Sequence, residues 1–561
     1  MNTAFWTYAR RHSGAVLLGL IGFLAIGQAA NALTVESLEF RWPDATFGRY
    51  HIAASVTNDS DNPVKVQSVM VGDGEAGKGF AVFAAGTLSN DDVIAPGQRA
   101  TVRLAHPWRG SEQYAVVVAG AQGEQAVVAE GQAQAPARGG YWDPAWKHYK
   151  VVELAEEAGL DRTNEPVRLS LNFRADRLRD PAKELRLVAL SDTGEHREIP
   201  FQVLDVSSVE TTEEQYPDTI ACRVLFYAEV PAKATRRYLV FHDNPDAPAP
   251  AAAPTELSVT GEGLELTVEN PYYKMTLAGQ SGQINGIFVK QGVDQQLSHS
   301  GNAIHWNPGC YAPPRPWGHT YDWNPPEGMQ AIGGPLAHVF TRWGPLPQLP
   351  EVWVSVTYTW YAHCPYVEMS STISITDDID VLALRNDEMV FEEALFTDLG
   401  WRDLIGGTHT RPLGQNPDLG KGYTAVLPAD TPWLCFYSRD GGYGCGSVRL
   451  AYDATSTSPA EAVTFNENTF VTAPQGIVYW YRALVYHFFP EFKEPAHLFS
   501  KVNKGSVYHE TNAYLPFALS TSGGDLLAPI DDLYARLASP LRVKSVDWGR
   551  DGLIAASLRG E

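Results

Sequence analysis

The chain is poor in cysteine and poor in positive charge. It has five cysteines, Cys222, Cys310, Cys364, Cys435 and Cys445. An odd, widely spaced set does not make a disulfide framework. Cys435 and Cys445 are the nearest pair, and the pair a single disulfide could join in an oxidising compartment. There is no C-x-x-C and no zinc-ligand spacing, so neither a metal nor a cofactor is expected. Hydrophobic cores must then hold the fold, and 561 residues can supply several. Lys and Arg number 43 against 65 Asp and Glu, a net charge of −22. That balance and the lack of a basic run argue against nucleic acid and anionic lipid as partners. It also works against a polyanionic substrate unless a cleft is locally positive. No G-x-S-x-G, H-E-x-x-H or Walker motif occurs.

Long apolar runs are scarce too. One stands out, Ala15 to Ile26, behind Arg10 and Arg11 and ahead of Ala30-Asn31-Ala32. This is the pattern of an export signal over residues 1–32, with a mature chain beginning at Leu33. The run is short for a membrane span of roughly 20 residues. The expectation is a secreted or periplasmic protein with no membrane segment once the signal is removed. Its net charge would be −24, because the signal holds two Arg and no acid.

What is abundant is alternation. Residues 33–133 carry short apolar–polar runs such as Val64-Lys65-Val66-Gln67-Ser68-Val69, separated by Asn/Asp/Pro/Gly turns. The spacing predicts a small immunoglobulin- or fibronectin-like β-sandwich. An Ala/Pro/Gly linker follows, then a second β-sandwich over 143–245 and another Ala/Pro linker. Residues 256–540 hold the longest strands. Val352 to Tyr361 and Tyr366 to Ile375 read as a hairpin whose strands each have an apolar and a polar face. Long paired strands with little helix require two large stacked sheets. One helix is expected, Ile530 to Ala538, with Asp531 and Asp532 in its first turn and Pro540 beyond it. Residues 541–561 read as a C-terminal tail. The fold class is all-β.

Chemistry concentrates between His305 and Asn324. Three Trp, two Tyr, two His, an Arg and an Asp fall in a segment that Pro and Gly keep irregular. Flat rings suit sugar faces, and the polar groups between them suit hydroxyls and protons. Trp306, Tyr311, Trp317 and Trp323 are candidate binding residues. His319 and Tyr321, two apart, would share a face of an extended segment. They are the first catalytic candidates, with His305 and Arg342 behind them. A carboxylate-rich run from Asn386 to Glu393, followed by His409, offers an alternative set in Glu388, Glu392 and His409. In Tyr479 to Leu484, alternation puts Tyr479, Tyr481 and Ala483 on one face and Trp480, Arg482 and Leu484 on the other. Arg482 is then a candidate cleft cation, since it should not be buried unpaired. Residues 437–446 read as a hairpin turn, because no helix follows the glycines.

Asn270-Pro271-Tyr272-Tyr273-Lys274-Met275-Thr276-Leu277 and Gly282-Gln283-Ile284-Asn285-Gly286-Ile287 resemble the opening hairpin of galactose-mutarotase-like β-supersandwich domains. The 352–375 hairpin resembles their central strands. The resemblance covers about half the chain and implies a large supersandwich after the two small sandwiches. It implies a polysaccharide or oligosaccharide as partner, since the superfamily includes sugar epimerases, polysaccharide lyases and accessory domains of glycoside hydrolases. Three functions are expected. The first is a lyase cleaving a uronic-acid glycan by β-elimination through the His/Tyr/Arg groups. The second is a hydrolase or epimerase using carboxylates. The third is a glycan-binding protein of the cell envelope with no catalysis. The charge favours the second and third, and the 305–324 loop favours the first.

Overall fold

A computed structural model describes residues 32–40, 52–73, 81–82, 93–104, 113–135, 143, 145–146, 148–191, 195–212, 218–299, 301–413, 424–428, 430–455, 469–472, 476–486, 499–521 and 525–546. The export signal lies outside these residues, apart from Ala32. The chain is all-β. Among the described residues no helix is long and apolar enough to cross a membrane.

The first strands pair as a three-stranded and a five-stranded sheet, enclosing a core of Ile52, Val56, Val69, Val116 and Val118. Two more sheets follow from His148 to His242, around Leu169, Phe173, Val224 and Phe226. Residues 541–561, read as a tail, begin with a strand instead. Arg542–Val546 pairs antiparallel with His148–Ala155 and closes the edge of that second five-stranded sheet. Leu541 and Val543 pack into its core. The run is short and flanked by charge, so only the partner strand shows its role.

From Ser258 onward, one layer consists of a five-stranded and a six-stranded sheet, and the facing layer is a nine-stranded sheet. The main core lies between them, built from alternate residues such as Val354, Val356, Tyr358 and Trp360 of Leu349–Tyr361. That strand pairs with Val367–Ile375 over the length of the hairpin. Residues 304–306 stitch the five- and six-stranded sheets into one layer. His305 N–H donates to Ile284 O, Trp306 N–H to Glu388 O, and Ile304 O accepts from Val390 N–H.

The outer face of the nine-stranded sheet is covered by the helix Ala528–Ala538 and by Leu204 and Leu225 of the second unit. Arg168 reaches across to pair with Glu368 at 2.7 Å, and Gln202 Nε2 donates to Ala337 O. Cys435 belongs to this outer cluster, whereas Cys445 faces the inner core. Their strands pair Cys435 with Gly446 and Phe436 with Cys445. The pleat therefore sends the two sulfurs to opposite sides of the sheet, and all five cysteines are buried and outside any disulfide.

Candidate functional site

The His305–Asn324 segment forms the edge of the six-stranded sheet. Gly309–Tyr311 pairs on one side with Gly318–His319 and on the other with the strand Ala383–Glu392. This register puts His319, Gly309 and Arg385 in one row. Gly309 is required there, because a Cβ on it would lie 2.3 Å from His319 Cδ2. The imidazole rests on the bare backbone.

The outward side chains form a column of rings. Tyr311 stacks on Trp317 at 5.0 Å, Trp317 on His319 at 5.3 Å, and His319 on Tyr321 at 5.0 Å, with interplanar angles of 11°, 14° and 22°. Trp306 leans on the column, 5.9 Å from His319 and 5.5 Å from Tyr321. Tyr479 and Tyr481 stack beside it, on the face that alternation assigned to them. The imidazole is 5% exposed, while Trp306, Tyr311, Trp317 and Tyr321 remain half-buried. The surface is an aromatic platform with one acid–base group set into it.

Beneath the rings lies an ion pair that sequence reasoning only half found. Arg385 Nη1 donates to Glu388 Oε1 at 2.8 Å. Its guanidinium is held between the rings of Trp317 and Tyr481, at 4.3 and 4.1 Å. Glu388 is fully buried, and its second oxygen, Oε2, lies 3.8 Å from His319 Nε2 without a hydrogen bond. On the other side of the imidazole, Asp322 Oδ2 is 3.7 Å from Nδ1 and accepts the His319 backbone N–H. Burial, then Asp322 and Glu388, pushes the Tyr321 phenol up to about 12, so it stays protonated at neutral pH.

Glu388 owes its direction to a bulge. Asn386 opposes Arg482 and Met389 opposes Trp480, so Asp387 and Glu388 together face Tyr481. Asp387 takes a φ of 48°. Such a bulge re-aims side chains: here its extra residue turns Asn386 and Asp387 both inward and leaves Glu388 outward, beside Arg385.

Asp387 joins a polar network inside the sandwich, and so do three of the residues assigned from sequence to the site. His305 is fully buried, with Nδ1 2.7 Å from Tyr358 Oη and Nε2 3.2 Å from Tyr514 Oη. Burial, helped by Arg342, holds its pKa well below the usual value, so the ring is neutral. Arg342 is fully buried, donates to Ser281 O and Tyr358 Oη at 2.8 Å, and lies over Trp323. Arg482 is not a cleft cation: it is buried and donates to Glu510 at 2.8 Å, which satisfies the pairing that burial demands. Tyr514 and Ser447 donate to Asp387 at 3.2 and 3.1 Å. Burial, then Glu510, raises Asp387 to about 6.

The other candidates lie apart. Trp323 is buried and donates to Pro345 O. Glu392 ends its strand, half-buried. His409 is on the edge of the nine-stranded sheet, stacked on Trp401 and 2.7 Å from Asp403. Among the described residues, no group of three or more His, Cys, Asp or Glu is placed to hold a metal ion.

No family model matches the chain, and no curated protein matches it. Among solved structures it is similar to an α-mannosidase from Enterococcus faecalis V583, with a TM-score of 0.45 and 9% identity over 75% of this chain and 47% of that one. The chain thus spans about half the length of that protein. It is also similar to a galactose mutarotase-like protein from Lactobacillus casei ATCC 334, with a TM-score of 0.28 and 9% identity over 46% of this chain and 100% of that one. A TPR-domain containing protein from Parabacteroides distasonis ATCC 8503 matches with a TM-score of 0.31 and 10% identity, over 49% of this chain and 51% of that one.

Proposed function

We propose that this chain is an exported carbohydrate-active protein that seats a neutral sugar on the outer aromatic platform. His319 carries a proton to or from the anomeric centre, with Glu388 behind it. One observation carries the reading: His319 is clamped between two aromatic rings while the unpartnered Glu388 Oε2 lies 3.8 Å from its Nε2. A carboxylate behind an imidazole orients it and stabilises its charged form. That separation is long for a hydrogen bond, and such contacts tighten when substrate binds. The half-buried rings supply apolar surface against which a sugar can pack.

A second reading is β-elimination on a uronic-acid glycan. The Tyr321 phenol, protonated up to about pH 12, supports it as the acid that protonates a leaving oxygen. The position of the cations weighs against it. Arg385 is engaged by Glu388 and two rings, and Arg342 lies inside the core, so neither is presented to a uronate.

The test is turnover of a neutral and a uronic-acid glycan panel by the purified chain. New reducing ends or anomeric exchange on neutral glycans, lost in His319→Ala, are expected. Trp317→Ala should raise KM about tenfold, as the loss of a good stacking contact does. An unsaturated-uronate absorbance that disappears in Tyr321→Phe would replace the first reading with the second.

A further inference from the structure

Beside the platform lies a cleft of about 500 Å³, walled by Pro345 and Pro347 and lined by the exposed polar groups of Asp322, Asn324, Glu327 and Gln348. Asp322 belongs to both places: it lines the cleft, and its Oδ2 is 3.7 Å from His319 Nδ1. That nitrogen is buried and makes no hydrogen bond, so Asp322 is the side chain that the imidazole and the cleft share. Among the described residues, the lining offers carboxylates and amides and no Lys or Arg. Arg315, on the neighbouring loop, is held by both oxygens of Glu351.

We infer that this cleft is an adjoining subsite that takes the next residue of a neutral oligosaccharide whose first residue rests on the platform. The inference rests on the platform reading and extends it to substrate length and charge. Carboxylates and amides accept and donate to pairs of hydroxyls, and the proline rings give the sugar an apolar wall. Two carboxylates with no cation repel a uronate, because placing like charges together in a partly desolvated cleft is unfavourable. The cleft thus selects neutral chains over acidic ones, and chains over single sugars.

The experiment is calorimetric titration of the full chain with glucose, galactose and mannose, with their neutral oligomers, and with oligogalacturonate of matching length. Neutral oligomers are expected to bind about tenfold more tightly than their monosaccharides, the yield of one or two added hydrogen bonds. Glu327→Ala, at an exposed position, should lose that increment and keep monosaccharide affinity. Glu327→Lys should gain affinity for oligogalacturonate. Equal affinity for single sugars and oligomers in the unaltered protein, or an undiminished increment in Glu327→Ala, would overturn the subsite and leave the platform standing. No binding of any sugar, with Trp317→Ala indistinguishable from the unaltered protein, would overturn the platform and the subsite together.

Discussion

Asp387 and Glu388 are consecutive, both fully buried, and turned to opposite faces of one sheet. Asp387 accepts from Ser447 and Tyr514 in the interior, and Glu388 accepts from Arg385 beneath the aromatic column. One bulge therefore connects the internal polar network to the outer platform through a single peptide bond.

The outer ion pair should be strongly coupled. Arg385→Met leaves the Glu388 carboxylate buried without its cation, and Glu388→Gln removes the charge that Arg385 Nη1 pairs with. Each should lower the unfolding free energy by about 3 kcal/mol, the usual penalty for breaking a buried pair. The double variant should recover a large part of that loss. Urea denaturation of the four proteins measures the coupling, and additive losses would mean that the pair is energetically unimportant.

Gly309 should be intolerant of a side chain. In Gly309→Ala the new methyl meets His319 Cδ2 at 2.3 Å, and the ring cannot swing aside because Trp317 and Tyr321 hold both its faces. The expected result is a loss of about 1–3 kcal/mol, as for other overpacked sites, with sugar turnover abolished. Gly476→Ala has no atom within 4 Å of the new methyl, although its φ of 92° carries backbone strain. It is the control for a glycine change that leaves the imidazole alone.

Asp387 should make stability depend on pH in the direction opposite to an ordinary salt bridge. Its folded pKa, about 6, lies above the 3.8 of an ordinary aspartate. The folded state therefore binds the proton more tightly than the unfolded state. Stability from this group is fully present below the unfolded pKa and is lost as pH rises through about 6. Glu510 favours the proton, while Arg449 and Arg482 oppose it, and burial outweighs them. The shift corresponds to roughly 2 kcal/mol between pH 4 and pH 7. Denaturation across that range should show this slope in the unaltered protein and lose it in Asp387→Asn.

The cysteines should be silent in the native state. All five are buried and none is in a disulfide, and burial pushes Cys222 and Cys310 up to about 12. A thiol reagent should label none of them until urea unfolds the chain, and a reductant should leave the melting temperature unchanged. Rapid labelling of the folded protein would contradict this burial.

Much of the local structure was readable because a strand reports its own two faces. Tyr479 and Tyr481 point outward and Trp480 and Leu484 inward, as period-two alternation requires. The helix Ala528–Ala538 lies where acidic first-turn residues and Pro540 put it, two residues longer at its start. His319, Trp317, Tyr311 and Tyr321 meet because they are close in sequence on one side of one sheet edge. His305 opens that region and Arg342 follows it in the chain, but both are turned inward. Composition alone does not carry the sign of that turn.

The sequence by itself determined the element type, the alternation of faces, the hairpins and the crowding of aromatic groups between His305 and Asn324, because these follow from neighbours within a few residues. The tertiary structure decided which strand lies beside which. Pairing Gly309 with both His319 and Arg385, and inserting the bulge that turns Glu388 toward the imidazole, joins residues some 70 positions apart. Register is set by burial of whole faces across the sheet, and a shift of one residue would have put Glu388 on the other side.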